Sequence, residues 1–145
     1  MRTVEADYDV VVCGGGLAGF SAAVAAARHG ATTALIHDRP VLGGNSSSEV
    51  RVPVHGAAAV HGYARETGIV AEALVHERLI NHAPIKENEN GWTNSNWDLV
   101  LYDIAVRTPN LTLYLNTAVQ EVEVADNRIT TVIARIANAE TWVRA

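Results

Sequence analysis

The sequence predicts one α/β domain in which a parallel sheet is followed by a C-terminal antiparallel β segment. Two observations support this prediction. Near the start of the chain, an apolar run ends in a cluster of glycines, and an alanine-rich helical segment then leads to a second apolar run. Near the other end, strand-like runs succeed one another without helices between them. A length of 145 residues suits one domain with a sizeable core.

The first predicted unit is strand, helix and strand. Tyr8 to Cys13 is an apolar, β-branched run that ends at glycine, which is typical of a buried strand. From Leu17 onward apolar residues recur at helical spacing until Gly30 ends the helix. Thr32 to Asp38 is the second strand. A crossover of this kind is right-handed and makes the two strands parallel neighbours.

Two further helices are predicted in the middle of the chain. They follow a glycine- and serine-rich loop over Pro40 to Gly62, and a loop of that length in a compact domain is usually functional. The first of the two helices covers Glu66 to Asn81. The second begins at an N-cap among residues 94–96 and ends near Arg107.

Strands are predicted for the remainder of the chain. Three runs have strand character: Leu111 to Leu115, Ala118 to Val124, and Arg128 to Ile136. Asp126-Asn127 is suited to a tight turn between the last two. A fourth strand begins at Thr141.

The charge pattern disfavours a nucleic-acid or anionic-membrane partner. The formal net charge is −5, and the basic residues are scattered. No run is long enough to span a bilayer, and the acidic N-terminus is unlike a signal peptide, so the expected location is cytoplasmic. The expected partner is a small-molecule substrate, and a homo-oligomer is compatible with the composition.

No metal site is expected. Cys13 is the single cysteine, which excludes an internal disulfide and a cysteine-rich metal or iron–sulfur site within this chain. The run "HERLINH" (residues 76–82) lacks the second histidine of a zinc-protease helix, because Ile80 stands there. We expect Cys13 to be a small buried side chain at the end of a strand.

The glycine cluster predicts a dinucleotide-binding, Rossmann-like domain. In "VVVCGGGLAGF" the spacing Gly14-x-Gly16-x-x-Gly19 directly follows a strand and opens a helix. Gly14 permits the tight turn, Gly16 lets the backbone approach a pyrophosphate, and Gly19 lets the helix pack closely on the strand. The N–H groups at the helix start then face the phosphates.

The end of the second predicted strand departs from the usual pattern. An acidic residue that binds a ribose hydroxyl is expected about twenty residues after the glycines. His37 stands in that position and Asp38 follows it. Either Asp38 accepts the ribose hydroxyl bond, or His37 donates to a ribose oxygen. The adjacent Arg39 leaves NADP open as a ligand.

The chain resembles the FAD-dependent oxidoreductases of the glutathione-reductase-like flavoprotein superfamily, and in particular the bacterial family related to the flavin subunit of heterodisulfide reductase. The resemblance rests on residues 9–51, "DVVVCGGGLAGFSAAVAAARHGATTALIHDRPVLGGNSSSEVR", and on three later segments in the family's order. Those segments are "RETGIVAEALVHERL", "NWDLVLYDIAV" and "PNLTLYLNTAVQEVEV".

This resemblance implies an FAD site and flavin-dependent oxidoreductase activity. It implies contacts of three kinds. The backbone contacts to FAD come from Gly14, Gly16, Leu17, Ala18 and Gly19. The residues facing the adenosine are Asp38, Arg39 and His37 at the ribose and the Val119 backbone at the adenine. The residues along the pyrophosphate and ribityl chain are Gly43, Gly44, Asn45 and Ser46.

The resemblance also implies that residues 1–145 are the N-terminal part of a longer flavoprotein. Family members continue into a second nucleotide-binding motif of Ala-Thr-Gly-Asp type and a substrate domain. Without those parts we expect unpaired sheet edges and exposed apolar surface. Two alternatives stay open: an NAD-dependent Rossmann dehydrogenase, and a non-catalytic nucleotide-binding or dimerisation fragment.

The sequence does not assign a catalytic residue. Ser46 to Ser48 lack the surroundings of a nucleophile, and we expect their hydroxyls and N–H groups to contact phosphate. His55 and His61 are either ordinary loop residues or groups that donate a proton near the flavin.

Overall fold

A computed structural model describes residues 2–54, 60–61, 67–82, 95–137 and 141–145. Within these ranges the chain forms three α-helices and seven strands. The helices are α1 (Leu17–Arg28), α2 (Ile69–Ile80) and α3 (Ser95–Arg107). The strands are β1 (Arg2–Glu5), β2 (Val10–Cys13), β3 (Thr33–Ile36), β4 (Leu111–Tyr114), β5 (Thr117–Ala125), β6 (Arg128–Ile136) and β7 (Thr141–Arg144).

Three of these strands form the predicted parallel sheet. Its order is β2-β3-β4, and Thr33 lies opposite Val10 on one side and Leu111 on the other. Helix α1 makes the crossover between β2 and β3, as the sequence predicts. The predicted α/β class is confirmed, and the predicted strand ends differ from the observed ones by at most two residues.

The other four strands form a second sheet, of order β1-β7-β6-β5. The pairs β5–β6 and β6–β7 are antiparallel, which confirms the predicted C-terminal segment. Asp126 and Asn127 form the predicted turn, with φ of 51° and 60°. Strand β1 pairs with β7 in parallel and was not predicted. Its four residues include two charges and give no apolar run.

The parallel sheet lies between the helices and the second sheet. Leu35 packs with the helices, among fully buried side chains that include Phe20 and Trp97. Ile36, the next residue, packs against Val132 and its neighbours on the second sheet. Successive residues of a strand point to opposite faces, so a strand covered on both sides must be apolar throughout. The run "TALI" meets that requirement.

Two features of the described residues are exposed. Strand β2 pairs with β3, and among the described strands none pairs with its other edge. The hairpin of β5 and β6 exposes Val122, Val124 and Ile129, the last two to 60% and 65%. None of the three helices in the described ranges has the length and apolar character to cross a membrane.

Candidate dinucleotide site

The glycine cluster forms the turn from β2 into α1. Gly14 has φ of 109°, a conformation that favours glycine, and its N–H continues the sheet by donating to the Ile36 carbonyl over 2.8 Å. Gly16 is the N-cap residue of α1 and provides no side-chain cap. The first N–H groups of a helix have no partner within the helix. The turn therefore presents a helix N-terminus that is suited to an anion.

The three motif glycines have different surroundings. A Cβ at Gly19 would lie 1.9 Å from the Gly14 carbonyl oxygen, so α1 approaches the turn as closely as glycine allows. A Cβ at Gly16 would meet no atom within 4 Å and would project into open space. Gly19 thus serves the packing of the helix, whereas Gly16 keeps the space beside the backbone clear.

A second glycine-containing segment lies directly beside this turn. Gly43 donates its N–H to the Gly15 carbonyl over 2.8 Å and forms an isolated parallel bridge with Gly16. A Cβ at Gly44 would lie 3.1 Å from the Gly16 Cα. The two segments are about thirty residues apart in sequence, yet their backbones are in contact.

The serine hydroxyls of the second segment point into the protein, which corrects the expectation that they contact phosphate. Ser46 is buried; its Oγ donates to the Gly43 carbonyl over 3.0 Å and accepts a bond from Trp97 Nε1 over 3.1 Å. Ser48 donates its hydroxyl to Asp98 and its N–H to Asp98 Oδ1, the latter over 3.0 Å. The chain turns its serines toward α3, so at Ser46 the backbone remains as the candidate contact.

His37 lies under the glycine turn, which corrects the expectation that its side chain faces a ribose. Only 6% of it is exposed, and its Nδ1 accepts a hydrogen bond from the Gly15 N–H over 3.0 Å. A nitrogen that accepts this bond carries no proton, so the 3.4 Å contact of Nδ1 with Asp38 Oδ1 is not an ion pair. Nε2 is buried and has no hydrogen-bond partner in the described part of the chain.

Asp38 follows the end of β3 and is the residue that is expected from the sequence to contact a ribose. Its side chain is 66% exposed and borders a cavity of about 250 Å³ beside the turn. Arg39 does not line this cavity, and its Nη1 pairs with Glu49 over 3.2 Å. The cavity is lined by Cys13, Gly14, Ile36, Asp38, Thr117, Ala118 and Val119.

A second cavity, of about 400 Å³, also borders the turn. The two cavities share no residue, since Gly14 borders the first and Gly16 the second. The glycine turn therefore contributes to two separate cavities. The second cavity is lined by Gly16, Leu17, Ala18, Gly43, Asn45, Ser46, Val52, Pro53 and Val54.

Cys13 is exposed, contrary to the expectation of a buried side chain, because it stands at the end of β2, which is an edge strand among the described strands. Partial burial nevertheless raises the pKa of its thiol, which disfavours the reactive thiolate. His61 is exposed, and His55 lies outside the described residues. In the described ranges no group of three or more His, Cys, Asp and Glu side chains could hold a metal ion.

A larger cavity, of about 450 Å³, lies between α2 and α3 and shares no residue with the turn. Its lining is mainly apolar. The residues that border it are His76, Leu79, Ile80, Leu99, Val100, Asp103 and Arg107.

The sequence profile of a protein family described as FAD dependent oxidoreductase matches residues 9–145. This match extends over the glycine turn, both flanking cavities and the C-terminal strands.

Solved structures with the same fold include several large enzymes. Adenylylsulfate reductase from Archaeoglobus fulgidus has a TM-score of 0.61 at 14% identity, covering 99% of this chain and 29% of its own. The myxobacterial halogenase CndH has a TM-score of 0.59 at 14% identity, covering 100% and 36%. L-proline dehydrogenase from P. horikoshii has a TM-score of 0.51 at 18% identity, covering 99% and 22%. The chain thus spans about a third or less of each.

Proposed function

The chain belongs to the FAD dependent oxidoreductase family, and from this premise we propose that it is the FAD-binding portion of a flavin-dependent enzyme. One observation carries the proposal. The glycine turn borders two cavities that share no lining residue, it leads into a helix N-terminus without a side-chain cap, and a Cβ at Gly16 would point into unoccupied space. FAD has an adenosine and a flavin on either side of a pyrophosphate, so the chain's residues fit the group.

Each part of the site around the glycine turn has a proposed role. The N–H groups of Leu17, Ala18 and Gly19, at the start of α1, hold the pyrophosphate. The Asp38 carboxylate accepts a hydrogen bond from a ribose hydroxyl. The Val119 backbone contacts the adenine in the smaller of the two cavities beside the turn. The ribityl side is bordered by the backbone of the segment Gly43, Gly44, Asn45 and Ser46. His37 contributes indirectly, by holding the Gly15 N–H beneath the turn.

The flavin supplies the hydride or electron transfer of such an enzyme. The residues of this chain bind and orient the cofactor. A substrate-side acid or base is proposed to come from elsewhere in the protein. The substrate is a small molecule, in keeping with an oxidoreductase family, and a cytoplasmic location is part of the proposal.

Gly16→Ala tests the proposal, because its added methyl group meets no protein atom. We expect the free energy of unfolding to stay within about 0.5 kcal/mol of the wild type. FAD affinity, measured by quenching of flavin fluorescence, should fall at least about tenfold because the methyl group occupies the space of the pyrophosphate. Ala125→Val, which enlarges an exposed side chain of the hairpin, is the matched control. This variant should bind FAD normally.

The same titration separates the alternatives. NAD and NADP are titrated in parallel with FAD against the full chain. Tighter binding of either nicotinamide cofactor would replace the proposal with the dehydrogenase alternative. Retention of full FAD affinity by Gly16→Ala, or the absence of FAD binding by the wild type, would overturn it.

A further inference from the structure

We infer that Trp97 and Asp98, in the first turn of α3, are positioning residues of the cofactor site. They hold the segment Gly43–Val50, here called the serine loop, against the glycine turn. The inference rests on the proposed function for the ligand, but the contacts on which it depends lie within the protein. Neither side chain borders either cavity beside the turn.

Trp97 is the start of a chain of hydrogen bonds that ends at the glycine turn. Its side chain is 1% exposed, and its Nε1 donates to Ser46 Oγ over 3.1 Å. Ser46 Oγ donates in turn to the Gly43 carbonyl over 3.0 Å. The Gly43 N–H then donates to the Gly15 carbonyl over 2.8 Å. The position of the indole is thus transmitted to the backbone that faces the pyrophosphate.

Asp98 holds the serine loop at a second point. Its carboxylate is buried and accepts two bonds from Ser48, one from the N–H over 3.0 Å and one from the hydroxyl. Hydrogen bonds to a carboxylate are stronger than those between neutral groups. The Ser48 N–H belongs to a loop. The Asp98 carboxylate therefore accepts the hydrogen bond that a backbone carbonyl would accept within a helix or a sheet.

Leu101 completes the contact from the next turn of α3. Its Cδ1 lies 3.0 Å from the place where a Cβ at Gly43 would stand. Residues 97 and 101 are one turn apart and therefore share a face of the helix. A side chain at position 43 would meet Leu101, and the φ of 108° there also favours glycine.

The position of the serine loop affects the space available to the ligand, because its residues border the cavity of about 400 Å³ beside the glycine turn. Gly43, Asn45 and Ser46 line that cavity opposite the start of α1. Outward movement of the loop would widen the cavity and separate Gly43 from Gly15. The expected role of Trp97 and Asp98 is therefore to maintain the width of this cavity.

Two variants and a control test this inference in the full chain. Trp97→Phe keeps an aromatic ring and removes the N–H donor, and Asp98→Ala removes both acceptors. We expect each to lower FAD affinity, by at least about tenfold for Asp98→Ala because bonds to a charged group are lost. Asp98→Asn retains one acceptor and one donor facing Ser48, so it should restore much of the affinity. Asp103→Ala, on the outer side of α3 where Asp103 pairs with Arg107, is the control and should leave affinity unchanged.

A second measurement does not depend on FAD. Amide hydrogen exchange of residues 43–50 without cofactor should accelerate in Trp97→Phe and Asp98→Ala relative to the rest of the sheet. If FAD does not bind the wild type, this exchange still reports whether α3 holds the loop. If Asp98→Ala fails to fold, Trp97→Phe and Asp98→Asn carry the test.

Unchanged exchange in the serine loop of the folded variants would overturn the inference. So would a loss of thermal stability with unchanged FAD affinity and an unchanged visible circular dichroism spectrum of the bound flavin, because that combination indicates a purely structural role. Faster loop exchange with weaker binding and an altered flavin spectrum would support it.

Discussion

His37 Nδ1 accepts a hydrogen bond from the Gly15 N–H over 3.0 Å, and the imidazole fills the space in which a side chain at position 15 would begin. A Cβ at Gly15 would lie 2.7 Å from His37 Cγ and 2.7 Å from Leu42 Cδ2. Gly15 is the unspecified residue between the first two glycines of the motif, where a side chain is ordinarily permitted. In this chain His37 stands where the motif usually has an acidic residue, and its imidazole leaves no space for a side chain at position 15. This explains why Gly15 makes the motif a run of three glycines.

Replacing His37 tests this pairing. His37→Leu removes the acceptor and leaves the buried Gly15 N–H without a partner, which should lower the free energy of unfolding by about 1–3 kcal/mol. His37→Asn keeps an acceptor near the position of Nδ1 and should lose less. Urea denaturation measures both, and exchange of the Gly15 amide should accelerate in the leucine variant. Equal losses in the two variants would show that the acceptor is unimportant.

Gly19→Ala is expected to be the most damaging glycine substitution in the turn. Its methyl group would be placed 1.9 Å from the Gly14 carbonyl oxygen, so α1 must move away from β2. We expect a loss of at least about 3 kcal/mol, at the upper end of overpacking effects. Gly30→Ala provides a comparison, because φ there is 97° but the space is open, and backbone strain alone costs about 1–2 kcal/mol. Urea denaturation that ranks the two variants in the opposite order would contradict the geometry.

Cys13 should react slowly with alkylating reagents and should be protected by FAD. The raised pKa of its thiol keeps the thiolate scarce near neutral pH, so the rate of alkylation by iodoacetamide should still be rising at a pH where an ordinary thiol is fully ionised. Cys13 borders the same cavity as Asp38 and Val119, so bound adenosine would cover it. Mass spectrometry of the alkylated protein follows both effects. Equal alkylation rates with and without saturating FAD would show that the adenosine does not occupy this cavity.

The Arg28–Glu72 pair, which joins α1 to α2, should make stability depend on pH. Arg28 donates two hydrogen bonds to Glu72, over 2.7 and 2.8 Å, and these bonds lower the pKa of the Glu72 carboxyl. A carboxyl whose pKa is lower in the folded state stabilises the fold above its ordinary value, and this contribution disappears as pH falls through the lower value. Glu72→Gln should therefore lose about 0.5 kcal/mol at pH 7, a value reduced by solvent exposure, and progressively less as the pH falls below the ordinary carboxyl range. Denaturation at a series of pH values measures the difference; a difference that does not shrink toward acid pH would exclude this cause.

Patterns that are local in sequence predicted much of the fold. Helix α1 begins at Leu17 and ends at Arg28, as its periodicity and the following Gly30 indicate. Asp126 and Asn127 occupy their turn because both tolerate positive φ, and that preference is visible in the residues themselves. The glycine spacing likewise predicted which glycine packs the helix and which keeps the backbone open.

Features that depend on distant partners were not predicted. The direction of the Ser46 and Ser48 hydroxyls depends on Trp97 and Asp98, which are about fifty residues away. The burial of His37 depends on Gly15 offering no side chain. In each case the residue types permit several partners, and tertiary packing selects one. The pair Trp97-Asp98 at the start of a helix is the sequence feature that could have indicated the loop contact.

The parallel pairing of β1 with β7 has a consequence for how the chain folds. Arg2 lies opposite Thr141, so the two strands are separated by nearly the whole length of the chain. During synthesis β1 emerges before β7 and has no partner in this ladder until β7 follows. Closing so long a loop carries a large entropic cost and slows the formation of contacts. The helices and the parallel sheet are therefore expected to form early, and the ladder between β1 and β7 to close last.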